Sequence, residues 1–140
     1  MRVMSRWVLV AVIGIQAHFA ASYIAPLDEQ SRRAFVGLLK WAWPWSVGDS
    51  GPLGRITPSG IPTSGFFLAV TAAGILVLAA LAVAGLWVPA VWWRVLAATG
   101  AALSLVLMVS FFGITKLLPI AGAVVILAAA LNYWTPVDTS

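Results

Sequence analysis

Long apolar stretches alternate with short polar breaks along most of the chain. Four of the stretches approach the length of about 20 residues that a helix needs to cross the hydrocarbon of a bilayer. They cover residues 7–24, 65–88, 90–112 and 117–134. Because the breaks between the last three are very short, those helices must be antiparallel neighbours. The pattern predicts an all-α fold, an antiparallel four-helix transmembrane bundle that forms a single membrane domain over residues 1–140.

Prolines and a glycine explain the breaks between the last three stretches. Pro89 has no N–H and clashes with a preceding turn, so the second helix should end near Val88. The third helix should then begin with this proline in its first turn. Gly113 to Lys116 predicts a tight turn at the surface, and Pro119 suits the first turn of the fourth helix.

The first stretch allows two interpretations. Arg2 and Arg6 precede an apolar run that ends in Ala20-Ala21-Ser22, and secretory signal peptides have the same layout. We interpret the run as the first helix of the bundle, with the signal peptide as the alternative.

The long connection after the first helix has two parts of different character. Over residues 28–43, Phe35, Leu38 and Leu39 share one helical face while charged side chains share the other. This periodicity predicts an amphipathic helix that lies in the plane of the membrane interface. Residues 48–64 contain four glycines and three prolines, which predicts a loop.

The composition supports the membrane interpretation. Hydrophobic residues make up 62% of the chain, charged residues 9%, and the mean hydropathy is +1.02, whereas a soluble domain has roughly 25% charged residues. All eight tryptophans fall at predicted helix ends or in the long connection, as expected at membrane–water interfaces. The net charge of +4 comes from scattered cations, so lipid headgroups are the expected partner and nucleic acid is not. The absence of cysteine excludes disulfides and iron–sulfur ligation.

A few polar residues in or near the predicted spans are candidates for ligand binding. His18 and Gln16 lie within the first helix, where a polar side chain suggests a function. His18 has the chemistry to ligate the metal of a haem or chlorin, to relay protons or to hydrogen-bond a quinone; alternatively it donates one hydrogen bond to a neighbouring helix. Arg94 either snorkels to the headgroups and stacks on an aromatic ring, or grips an anionic lipid or quinone-like ligand, and Lys116 has the same alternatives.

These residues define the predicted site. The candidate cofactor-binding residues are His18, Gln16 and Arg94, and we predict no catalytic residues and no metal site within this chain. The cofactor is unknown; quinone, haem or chlorin, shared with a partner chain, are the options. No predicted span contains Asp or Glu, and the chain has no Ser-His-Asp set and no phosphate-binding glycine loop.

Small residues recur at four-residue spacing in the second and third helices. Such pairs let helix backbones approach closely, either to close the bundle on itself or to dock a larger complex. The pairs are Ala69/Ala73, Ala80/Ala84, Ala97/Ala101 and Ala98/Ala102.

The second to fourth helices resemble the DoxX-like family of small four-helix membrane proteins. The resemblance rests on an apolar helix that ends in Gly85-Leu86, a short turn with Pro89, then Arg94 and an alanine-rich helix. It implies four helices and a link to quinone-coupled sulfur oxidation or to the assembly of other membrane proteins. Arg94 alone carries over, as a headgroup or ligand contact. The chain departs from the family in its long first connection and in having Thr71-Ala72 where an acidic residue is typical.

Together these features predict a non-catalytic integral membrane subunit or scaffold of a larger membrane complex, respiratory or photosynthetic. It would pack through small-residue helix faces and bind lipid or a hydrophobic cofactor, with membrane lipid and other membrane-protein subunits as partners. One alternative is a DoxX-like component of a quinone-linked oxidoreductase. The other is a small-solute transporter or channel, with a path lined by Gln16, His18, Thr71, Thr99 and Ser104. We expect the location to be a bacterial inner (cytoplasmic) membrane.

Overall fold

The computed structural model describes residues 4–24, 50–51, 54–55, 62–112, 116–132 and 136–137. Four helices account for most of this part of the chain, so the predicted all-α class is confirmed. They are α1 (Arg6–Ala21), α2 (Thr63–Ala84), α3 (Trp93–Ser110), which follows a 3₁₀ turn at Ala90–Trp92, and α4 (Leu117–Leu131).

Four two-residue strands complete the described secondary structure. They are β1 (Met4–Ser5), β2 (Ser50–Gly51), β3 (Gly54–Arg55) and β4 (Pro136–Val137). β1 pairs with β4 in parallel, and β2 pairs with β3 antiparallel. The predicted interfacial helix over 28–43, most of the predicted loop over 48–64 and residues 113–115 of the predicted turn lie outside the described residues.

The four helices lie side by side in chain order. α1 packs on α2, α2 on α3 and α3 on α4, whereas α1 and α4 contact each other only sparsely. Residues 63–84 and 90–110 are each long and apolar enough to cross a membrane by length and composition, and α1 and α4 are shorter apolar helices. We call the end of the bundle that holds the start of α1 and the start of α3 the Arg6 end. The opposite end, where α4 begins, is the Lys116 end.

α2 ends at Ala84, four residues before the end that Pro89 predicts. Gly85 takes a left-handed backbone conformation with φ +73°, which costs glycine little because it has no Cβ. Its N–H and that of Leu86 donate back to carbonyls of the last helical turn at 3.2 and 2.9 Å. This hydrogen-bond pattern is a Schellman cap, and it stops the helix before the proline has any effect.

Arg6 completes the cap from another helix. Its Nε donates to the Val83 carbonyl at 2.7 Å, and its Nη2 donates to the Ala84 carbonyl. A cation at this position also suits the negative end of the α2 dipole. The start of α1 is therefore fixed to the end of α2.

Half of the paired small residues help to close the bundle on itself. Ala69, Ala73, Ala97 and Ala101 are buried between helices, while Ala102 is exposed and the other members of the pairs are half-buried. α2 and α3 approach each other closely at Gly100, where an added Cβ would lie 2.8 Å from Cγ and 3.2 Å from the backbone N of Leu76.

The tryptophans at the Arg6 end divide into two groups. Trp7, Trp87 and Trp92 are exposed, and Trp87 is 94% exposed at the tip of the α2–α3 turn with φ +57°. Trp93 is instead buried in the core. The junction between the 3₁₀ turn and α3 therefore points one indole outward and the next inward.

Candidate functional site

The sparse contact between α1 and α4 leaves an open groove, which we call the α1–α4 groove. It is lined by one face of α1 from Val12 to Phe19 and one face of α4 from Leu118 to Val125, and its volume is about 360 Å³. All but one of the lining residues are apolar or glycine; the exception is Gln16. The groove is therefore an apolar recess with a single polar side chain.

Gln16 is held in the wall of the groove by a hydrogen bond to α3. The side chain is 1% exposed, and its Nε2 donates to Ser104 Oγ at 2.6 Å. This bond gives the amide nitrogen and the serine hydroxyl a partner in an apolar interior, and it fixes the rotation of α1 against α3. Among the described residues, no donor reaches the other polar atom of the amide, Oε1.

Gly122 makes room for that oxygen. An added Cβ at this position would lie 2.6 Å from Gln16 Oε1, closer than two such atoms can approach. The glycine therefore lets α4 pass close to the amide while Oε1 stays beside the groove. Since Oε1 carries lone pairs and no hydrogen, it can only accept a hydrogen bond.

His18 lies on a different face of α1. Its side chain is exposed, and its ring centroid is 5.9 Å from that of Phe19. Successive helical residues are rotated by about 100°, so two positions separate His18 from Gln16 by about 200°. The structure does not bring these two predicted site residues together.

Arg94 lies far from both. It is the second residue of α3, and its guanidinium carbon is 5.6 Å from the centroid of the Trp93 ring, which is the ring contact of the first of the two alternatives expected from the sequence. Ser104, the partner of Gln16, follows ten residues later, about 15 Å along the helix axis. The three predicted cofactor-binding residues thus lie at three separate places.

The residues that would line a transport path are also separated. Gln16 and Ser104 are buried and bonded to each other. Thr71, Thr99 and His18 lie on exposed faces, and Thr71 Oγ1 donates to its own helix at the Phe67 carbonyl at 2.8 Å. The described residues therefore do not place these five side chains along one channel.

Lys116 is buried rather than extended toward headgroups. It is 0% exposed, and its Nζ lies 5.9 Å from the centroid of the Tyr23 ring. The Tyr23 hydroxyl in turn donates to Met108 Sδ at 3.5 Å. Burial disfavours the charged ammonium and lowers the pKa of Lys116 to about 7.

Reasoning from the sequence missed two residues that position the Gln16 side chain. Ser104 was predicted only as part of a transport path, although a serine within an apolar helix is itself a signal for an interhelical hydrogen bond. Gly122 gave no signal, because its importance depends on a side chain 106 positions earlier. Within the described ranges, no three His, Asp or Glu side chains group together to hold a metal ion.

No protein-family model matches this chain, and no curated protein and no solved structure matches it either. The DoxX-like resemblance therefore stays a prediction, and any function must be argued from the geometry.

Proposed function

We propose that this chain crosses a bilayer four times and serves as a non-catalytic, lipid-binding subunit of a larger membrane assembly. The distribution of polarity supports the membrane setting. The large side chains on the outside of the helices are mainly Val, Leu, Phe and Trp, while the polar Gln16 and Ser104 are buried and hydrogen-bonded. In a bilayer, apolar side chains face lipid and polar ones must find partners inside the protein.

The exposed residues on the outer face of α1 support the proposed role as a subunit. Trp7, Ala11, Gly14 and His18 are all exposed and follow one another at spacings of four, three and four residues. An added Cβ at Gly14 would meet nothing within 4 Å. Because helices in lipid associate through close backbone packing and interhelical hydrogen bonds, a second helix fits along this face with Gly14 at the crossing point. His18 would then supply the polar contact.

The test is the size of the native complex after gentle solubilisation, measured by blue-native electrophoresis at native expression level. We expect the wild-type chain to migrate in an assembly much larger than its own 14.8 kDa. Gly14→Leu should release it as a smaller species, because the new side chain blocks the crossing point. Gly74→Leu is the matched control, since Gly74 is an exposed helical glycine on α2 that also has open space beside it.

The outcomes separate the parts of the proposal. A wild-type chain that migrates alone in its detergent micelle would refute the subunit role. A large complex that survives Gly14→Leu would show that the partner docks elsewhere. If the released mass equals one further copy of this chain, the partner is a second copy. Extraction of the protein from membranes by alkaline carbonate would contradict the four crossings.

A further inference from the structure

We propose that the α1–α4 groove is a binding site for one uncharged, long-chain aliphatic alcohol, whose hydroxyl donates a hydrogen bond to Gln16 Oε1. The inference rests on the membrane setting proposed above, since such molecules are dissolved in lipid. It does not depend on a partner subunit.

The hydrogen bond that Gln16 already makes determines which ligand group can bind to it. Nε2 is already engaged with Ser104, and the atom that remains without a donor among the described residues, Oε1, is an acceptor. An acceptor that lines an apolar groove and makes no hydrogen bond costs up to about 1–3 kcal/mol. A ligand hydroxyl recovers this cost, whereas a ligand that carries only carbonyl or ether oxygens has no hydrogen to donate.

The other residues that line the groove favour a ligand whose remaining part is apolar and uncharged. These residues are apolar or glycine, and a charged group would lose its hydration there without compensation. A cavity of about 150 Å³ holds one benzene, which has six carbons. By proportion, the volume of about 360 Å³ suits a chain of roughly fourteen carbons.

The position of Gln16 sets the depth of the hydroxyl. It lies five residues before the end of α1, about 7.5 Å along the helix axis from the Lys116 end. Ordinary phospholipid headgroups lie outside the hydrocarbon, so an acyl chain alone presents no donor at this depth. This favours an alcohol over a plain lipid tail as the occupant.

The experiment is competitive photolabelling of the full chain in phosphatidylcholine vesicles. The probe is 1-tetradecanol that carries a diazirine on its chain, and the competitors are unlabelled 1-tetradecanol and 1-methoxytetradecane. The two competitors have the same fourteen-carbon chain, but the ether carries a methyl group in place of the hydroxyl hydrogen. We expect the label on the groove faces of α1 and α4, and we expect the alcohol to compete roughly three- to tenfold better than the ether, as one net hydrogen bond allows.

Two variants and a matched control locate the site. Gln16→Leu should abolish the preference for the alcohol while the ether still binds. Gly122→Leu should lower binding of both, because the side chain fills the groove and displaces the amide. Gly74→Leu should change neither, since it places the same side chain on an exposed face of α2 with nothing within 4 Å of its Cβ. The comparison of alcohol and ether on the wild-type chain decides the question even if a variant does not fold.

Each adverse result has a distinct meaning. Equal competition by alcohol and ether overturns the role of Oε1. Label spread over the outer faces of all helices overturns the groove as a site and indicates a general lipid coat. Flotation of the vesicles before labelling reports membrane insertion independently, so a protein that does not float refutes the membrane setting, and the inference falls with it.

Discussion

The close approach of α2 and α3 makes a quantitative prediction about two glycines. Gly100 lies at the interface, where a new Cβ would be 2.8 Å from Cγ and 2.9 Å from Cδ2 of Leu76. It would also be 3.2 Å from the Leu76 backbone N, which no rotamer change can move. Gly100→Ala therefore forces the two helices apart. Overpacking of this kind costs about 1–3 kcal/mol.

A second glycine supplies the matched control. Gly74 is also inside a helix, but a Cβ there meets nothing within 4 Å. Replacing a helical glycine with alanine gains up to about 1 kcal/mol in helix propensity at either position. That gain applies to both variants and cancels in the comparison. We therefore expect Gly100→Ala to be less stable than Gly74→Ala by about 1–3 kcal/mol.

The assay is unfolding in mixed micelles of increasing sodium dodecyl sulfate, followed by tryptophan fluorescence and far-ultraviolet circular dichroism. Gly74→Ala should unfold at or above the wild-type midpoint, and Gly100→Ala should unfold below that of Gly74→Ala. Equal midpoints for the two variants would refute the close α2–α3 contact, because propensity alone would then account for both.

Three further predictions concern single side chains. Arg6→Gln should lower the unfolding free energy in micelles by about 1–2 kcal/mol, because the charge-assisted bonds to the end of α2 are lost; unchanged melting would contradict the cap. Ser104→Ala should cost about 0.6 kcal/mol, the average for interhelical hydrogen bonds in membranes, and at most about 1.7 kcal/mol. This cost should disappear in a Gln16→Leu background if the two side chains act only on each other. Raising the pH from 7 to 9.5 should stabilise the fold. Above its pKa of about 7, Lys116 is neutral in the folded chain, whereas in the unfolded chain it still binds a proton. The free energy of unfolding therefore rises with pH, by at most about 1.4 kcal/mol per pH unit. Lys116→Met should flatten this dependence across the same interval, and a slope that survives the substitution would assign it to another group.

The order of apolar and polar residues was sufficient to locate the helices. α4 begins at Leu117 as predicted, and α3 with its preceding 3₁₀ turn begins at Ala90. The end of α2 was misplaced by four residues, since Gly85 and the guanidinium of Arg6 act before Pro89. A contact between a side chain and backbone carbonyls 77 or more positions away leaves no trace in a local pattern.

Which face of a helix points inward could not be predicted. When a helix is apolar all round, its periodicity does not distinguish the packed face from the outer one. The sequence placed Trp92 and Trp93 together at an interface, yet the structure buries one and exposes the other. In the same way, the sequence identified both Gln16 and His18 as candidates, but it did not indicate that only Gln16 of the two faces the groove.

The unequal lengths of the helices have a consequence for the surrounding lipid. α2 has 22 residues and is about 33 Å long, whereas α1 and α4 have 16 and 15 residues and reach only about 24 and 22 Å. The hydrocarbon of a typical bilayer is about 30 Å thick. Since the two short helices flank the α1–α4 groove, the mismatch falls on one side of the molecule. If the four helices cross a bilayer as proposed, we expect the bilayer to thin on that side and lipids with short tails to gather there.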